Sequence, residues 1–275
     1  MPRRAPLAWY FGIVFAITWI IGGAVVLFPE WVTAHLGRID SSHPLYFIGV
    51  YAPTLTAFGL TALGEGRAGV LRLLARLDPR RPGLRWYAVV LIGIPVWSAG
   101  AGLVAGWLGG QPLAVGGVTA WLGQTALNLF RDAGPVGEEY GWRGYALPRM
   151  LRRWSPLTAA VLLGIAWGLW HLPAFYVQAL NQSRLSLPWF VAGATALSVV
   201  SCWVFIHSKG SVLLAILLHL MANNIRTLLG LPFNTFAAGL VVAVVLIVAF
   251  GGLRPPVPAE ALAGEAESSG PSSGR

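Results

Sequence analysis

The stretch PWFVAGATALSVVSCWVFIHSKGSVLLAILLHLMANNIRTLLG, residues 188–230, decides the fold. It holds two apolar runs of about twenty residues, the length an α-helix needs to cross a hydrocarbon core. Only Ser208, Lys209 and Gly210 separate them. Inside lipid every backbone N–H and C=O must be satisfied within the segment, so such runs are helical. The second run nevertheless carries His219, Asn223 and Asn224. An ionisable group at membrane depth costs at least ~2.5–3.5 kcal/mol on insertion scales and usually marks a pathway or an active site.

Similar runs lie on both sides of this pair. Spans are expected near 8–28, 45–64, 87–108, 118–150, 156–177, 188–207, 211–230 and 234–252, with 118–150 too long for one straight helix. The chain of 275 residues is 56% hydrophobic and only 11% charged, against roughly 25% charged residues in soluble domains. The fold class expected is an all-α polytopic membrane protein, a bundle of about eight transmembrane helices. The N-terminal run continues to about Leu27 without a small-residue cleavage site, so it is expected to be a helix that stays. One cysteine, Cys202, gives neither an internal disulfide nor a cysteine-rich metal site.

The net charge of +9 does not point to nucleic acid, because the basic residues cluster between apolar runs. Arg3 and Arg4, the arginines at 67–85, Arg149, Arg152, Arg153, Lys209 and Arg254 all fall on one side if both termini are cytoplasmic. The other side keeps Arg38, Arg184 and Arg226. The positive-inside rule therefore places both termini in the cytoplasm. Residues 64–85 are expected to form a basic amphipathic helix on the inner surface. Four regions follow: N-terminal helices at 1–117, a core at 118–230, a last helix at 231–253 and a disordered tail at 254–275. Nineteen basic residues with a single lysine fit a GC-rich bacterial genome, and the expected location is a bacterial plasma membrane.

Three clusters carry chemistry. In GEEYGWRGY, Glu139 and Arg143 are four apart and share a helix face, whereas Glu138 points elsewhere. One glutamate is neutralised and the other is free to act as a general base on water. The bland alternative is a structural ion pair with a spare carboxylate. In WGLWHLP, Trp167 lies four before His171. In LLHLMANN, His219 lies four before Asn223, a pair suited to an oxyanion or to a metal, or else to polar contact between helices. Asn224 points off that face and is read as structural. His35, His43 and His207 lie in a loop or at an interface and are not site candidates. Small-residue pairs at Gly102/Gly106, Gly137/Gly141 and Gly164/Gly168 permit close helix contact.

Taken in order, GEEYGWRG, WGLWH and HLMAN resemble the CPBP family of intramembrane proteases. That family includes the type 2 CAAX-processing endopeptidases and the Abi bacteriocin-immunity group. The resemblance covers about 118–230 and implies an intramembrane endopeptidase. It implies that Glu138 and His171 activate water, that His219 and Asn223 stabilise the oxyanion, and that Glu139, Arg143 and Trp167 support them. Trp142 and Trp167 stand where the family often has phenylalanine, which changes the pocket volume. The cofactor is open: a divalent metal such as zinc would fall to Glu138, His171 and His219, but the HExxH spacing is absent. The expected partners are the bilayer and a membrane-associated protein or peptide. The competing readings are a non-proteolytic immunity or binding scaffold and, third, a proton-coupled transporter.

Overall fold

The computed structural model describes residues 6–254. The tail expected to be disordered lies outside the described residues apart from Arg254, as do Arg3 and Arg4. The apolar runs fold as helices. In chain order these are α1 (Pro6–Leu27), α2 (Pro29–Leu36), α3 (Pro44–Leu74), α4 (Leu84–Ala88) and α5 (Ile94–Trp107). They are followed by α6 (Val118–Arg131), α7 (Ala133–Glu139), α8 (Leu147–Leu151) and α9 (Pro156–Trp170). The last three are α10 (Leu187–His207), α11 (Val212–Leu229) and α12 (Phe233–Ala249). A π-helical turn, Val89–Gly93, fuses α4 to α5 into one span.

The chain is a polytopic helical membrane protein. Six helical segments among the described residues are long and apolar enough to cross a membrane, against the eight expected. Two of the expected spans fall outside that count. α12 has only 17 residues. The expected span 118–150 breaks at Asp132, whose backbone is extended (φ −78°, ψ 107°). The Asp132 carboxylate accepts the Gly134 N–H at 3.1 Å and so caps a new helix. Pro135 then sits in the first turn of α7, where its missing N–H is harmless. Beyond Glu139 the chain widens into a second π-helical turn, Tyr140–Ala146, in which the Leu147 N–H reaches the Trp142 carbonyl.

α6 is therefore a 14-residue amphipathic helix rather than part of a span. Leu122, Leu127 and Phe130 face outward. Trp121 and Asn128 tie its other face to Asn224 on α11, at 2.9 and 2.6 Å.

The basic stretch 64–85 is helical in its first half. It is mostly the last part of α3, redirected at Gly66 (φ +63°) and ending in a 3-10 turn, Ala75–Leu77. A positive φ there is cheap only for glycine. Arg149 pairs with Glu65 at 2.6 Å, and the Arg81 guanidinium donates to the Lys209 carbonyl at 2.6 Å. These contacts gather the ends of α3, α8 and α10 into one arginine-rich end of the bundle.

Small residues set the closest contacts. A methyl group on Gly164 would stand 2.5 Å from the Thr195 Cα, and one on Gly168 3.1 Å from the Val191 Cα, so α9 and α10 touch backbone to backbone. A methyl on Gly141 would meet Pro53 at 2.5 Å, which brings the π-helical turn against α3. The core formed this way holds Trp142, Leu163, Phe205, Leu214 and Leu218, all fully buried. His35 and His207 bond the carbonyls four residues back, and His43 caps α3.

Candidate active site

Glu138 ends α7, where the break at Asp132 has turned the chain into the bundle. Its carboxylate is buried and its two oxygens have different surroundings. Oε2 accepts the indole N–H of Trp167 at a very short distance and that of Trp142 at 3.4 Å. Oε1 points toward Gly134: a side chain there would begin 3.2 Å from it. The same point lies 3.3 Å from Asp132 Oδ1 and 3.6 Å from His219 Nε2. The bare Cα of Gly134 thus leaves a polar-walled gap that a methyl group would fill.

Glu139 makes the ion pair expected from its spacing. Arg143 Nη1 donates to Glu139 Oε1 at 2.9 Å, with both side chains essentially unexposed. The same oxygen faces His219 Nδ1 at 2.9 Å, a contact that helix periodicity could not supply because it joins α7 to α11. The guanidinium also lies 4.6 Å over the Trp167 ring, and a desolvated cation over an indole face is attractive. A carboxylate at Nδ1 fixes the imidazole so that Nε2 faces the gap.

His171 ends α9. Its Nδ1 sits 2.8 Å from the Trp167 carbonyl. That bond makes Nδ1 the protonated nitrogen of the neutral ring and leaves an Nε2 lone pair. The ring packs edge-on against Trp167, Trp170 and Phe190, with centroids 6.0, 4.7 and 4.9 Å away. Trp167 also meets the His219 ring edge-on at 5.3 Å, so one indole touches both histidines and Glu138.

Asn223 is exposed to the cavity, and its amide donates to Asp132 Oδ2 at 2.9 Å. One amide hydrogen remains for another acceptor. Asn224, read as structural, donates to the Leu220 carbonyl and accepts from Asn128. Glu138, His171, His219, Asn223 and Trp167 all line one cavity of about 630 Å³. Two contributors were not picked from the sequence, Asp132 and Gly134, and Trp142 was singled out only for its effect on pocket volume. The capping signal at Asp132, two residues before a glycine and three before a proline, was available.

A zinc ion is the metal that glutamate and histidine would suggest. Zinc bonds to nitrogen and oxygen run about 2.0–2.2 Å. Among the described residues no group of three His, Cys, Asp or Glu side chains is close enough to hold a metal. The donor set does not fit a three-ligand zinc site, and no step below runs through a metal.

Residues 129–225 match the family described as type II CAAX prenyl endopeptidase, Rce1-like. The matched segment begins at the end of α6 and ends on α11, so it contains every polar residue of the cavity centre. The chain is also similar to a protein of Methanococcus maripaludis called CAAX prenyl protease 2, 33% identical over 104 residues. That match spans 36% of this chain and 38% of the relative. The matched segment is the one on which the three motifs resemble the CPBP family.

Proposed function

We propose that this protein is an intramembrane endopeptidase that cuts a peptide bond of a membrane-associated protein or peptide. The observation that carries the reading is the asymmetric setting of Glu138. One oxygen is held by two indole N–H groups, and the other faces a gap shared with His219 Nε2. In this reading Glu138 Oε1 takes a proton from a water lodged over Gly134, assisted by the free Nε2 of His171. The hydroxide forms a bond to the substrate carbonyl carbon, and the carbonyl oxygen becomes an oxyanion. His219, as an imidazolium backed by the Glu139 carboxylate, donates Nε2–H to that oxyanion, and Asn223 offers its spare amide hydrogen. The proton on Glu138 then passes to the leaving nitrogen as the C–N bond breaks. Arg143 neutralises Glu139, which leaves Glu138 as the working carboxylate.

In this reading both termini are cytoplasmic, which the positive-inside rule and the arginine-rich end of the bundle support. The cavity is lined instead by Ser41, Asp132, Asn181 and Arg226, toward the opposite end. In this reading the cavity mouth opens on the outer face of a bacterial plasma membrane. The test is mass spectrometry of membrane-anchored reporter peptides incubated with the purified protein in liposomes. Two complementary fragments are expected with the wild type and none with Glu138→Gln. Cell protection against a bacteriocin that survived Glu138→Gln would favour the scaffold reading instead.

A further inference from the structure

The cavity has a cation at its far end that the chemistry above does not use. Arg226 lies on α11, seven residues beyond His219 and three beyond Asn223. Residues three, four and seven apart share a helix face, so all three side chains serve the same wall. The rise of ~1.5 Å per residue puts Arg226 about 10 Å from His219 along the axis. Its guanidinium rests 4.9 Å over the Phe233 ring, and its buried Nε has no hydrogen-bond partner among the described residues. The Asp132 carboxylate, which also lines the cavity, is occupied by Asn223 and the Gly134 N–H.

The wall between the two positions is aromatic. His171 packs on Phe190 at 4.9 Å, Phe190 stacks on Phe233 at 5.7 Å, and Phe233 carries Arg226. An apolar bed therefore runs from the polar centre to one half-buried, incompletely bonded cation. Arg226 lines the cavity and is only partly buried, so its guanidinium can meet an anion that arrives there. Arginine offers a fork that fits a carboxylate.

We propose that Arg226 is a specificity-determining residue that anchors a carboxylate of the substrate, while apolar side chains of the same peptide lie on the Phe190–Phe233 wall. This rests on the endopeptidase reading but is tested by binding, so the two can fail separately. The carboxylate comes from an acidic side chain or from a chain terminus, and the probes distinguish these sources.

The probes are three fluorescent leucine-rich hexapeptides of one sequence: a free acid, its C-terminal amide, and an amide with one leucine replaced by glutamate. Their dissociation constants are measured by anisotropy on the full chain carrying Glu138→Gln, in zwitterionic detergent, so no turnover intervenes. The expected result is that one carboxylate-bearing peptide binds about tenfold tighter than the neutral amide, the scale of a charge-assisted bond. Arg226→Gln should erase that preference without weakening the neutral amide, and Arg226→Lys should keep part of it. Equal binding of all three peptides, a preference that persists in Arg226→Gln, or no binding of any peptide would overturn the proposal. Cleavage of the same peptides by the wild type is scored separately and bears only on the endopeptidase reading.

Discussion

Replacing Glu139 and Arg143 separately and together should divide stability from activity. Both side chains are shut off from solvent, with relative exposures of 1% and 0%. The pair makes one 2.9 Å bond, while Glu139 Oε2, Arg143 Nε and Arg143 Nη2 lack hydrogen-bond partners among the described residues. Breaking a buried pair leaves one uncompensated charge, at a cost of about 3–5 kcal/mol, whereas replacing both members with apolar groups is often neutral or stabilising. Glu139→Leu should therefore lose about 3–5 kcal/mol, because Arg143 remains charged beneath Trp167. Adding Arg143→Met should recover most of that loss. Activity should not return, since the doubly substituted protein has no carboxylate at His219 Nδ1 to orient the ring or support its imidazolium form. Unfolding in mixed micelles gives the stability, and cleavage of a reporter peptide gives the activity. The reasoning fails if the double variant is as unstable as the single one, or if it cleaves at the wild-type rate.

Three other outcomes follow from named contacts. Gly134→Ala puts a methyl 3.2 Å from Glu138 Oε1 and 3.6 Å from His219 Nε2, so it should abolish turnover while the thermal midpoint in detergent shifts little. Trp167→Phe keeps an aromatic ring but removes the indole N–H that bonds Glu138 Oε2. A hydrogen bond to a charged group contributes about 1.5–3 kcal/mol, so kcat/KM should fall by roughly ten- to a hundredfold with peptide binding largely retained. Cys202 is fully buried, so in intact cells a membrane-impermeant maleimide should label Ser41→Cys and leave a cysteine at Lys209 unmodified; the reverse pattern would invert the orientation.

Much of the fold was legible because lipid leaves few choices. A run of twenty apolar residues must satisfy its own backbone, so α1, α9, α10 and α11 fall close to where hydrophobicity puts them. The count of spans was less legible. Hydrophobicity sees 118–150 as one long apolar tract, but a single capping carboxylate at Asp132 divides it and sets α6 aside. In the site, spacing along one helix foretold Glu139 with Arg143. It could not foretell contacts between helices: Glu139 with His219, or the Trp167 indole on Glu138. Asn223 sits on the same helix face as His219, as its spacing requires, yet its amide turns to Asp132. A contact between helices depends on how they cross, and the Gly164–Thr195 and Gly141–Pro53 approaches fix that crossing.

The central claim is that the Glu138 carboxylate is the base for hydrolysis. The most direct measurement is the single-turnover rate of peptide cleavage by the wild type and by Glu138→Gln, on preparations with matching thermal midpoints. The amide keeps the size of the side chain and an oxygen for the Trp167 and Trp142 indoles, but it cannot take a proton. General-base catalysis contributes typically 10²–10⁴-fold, so the rate should fall by about that factor or more. A Glu138→Gln protein that cleaves within a fewfold of the wild-type rate would contradict the account.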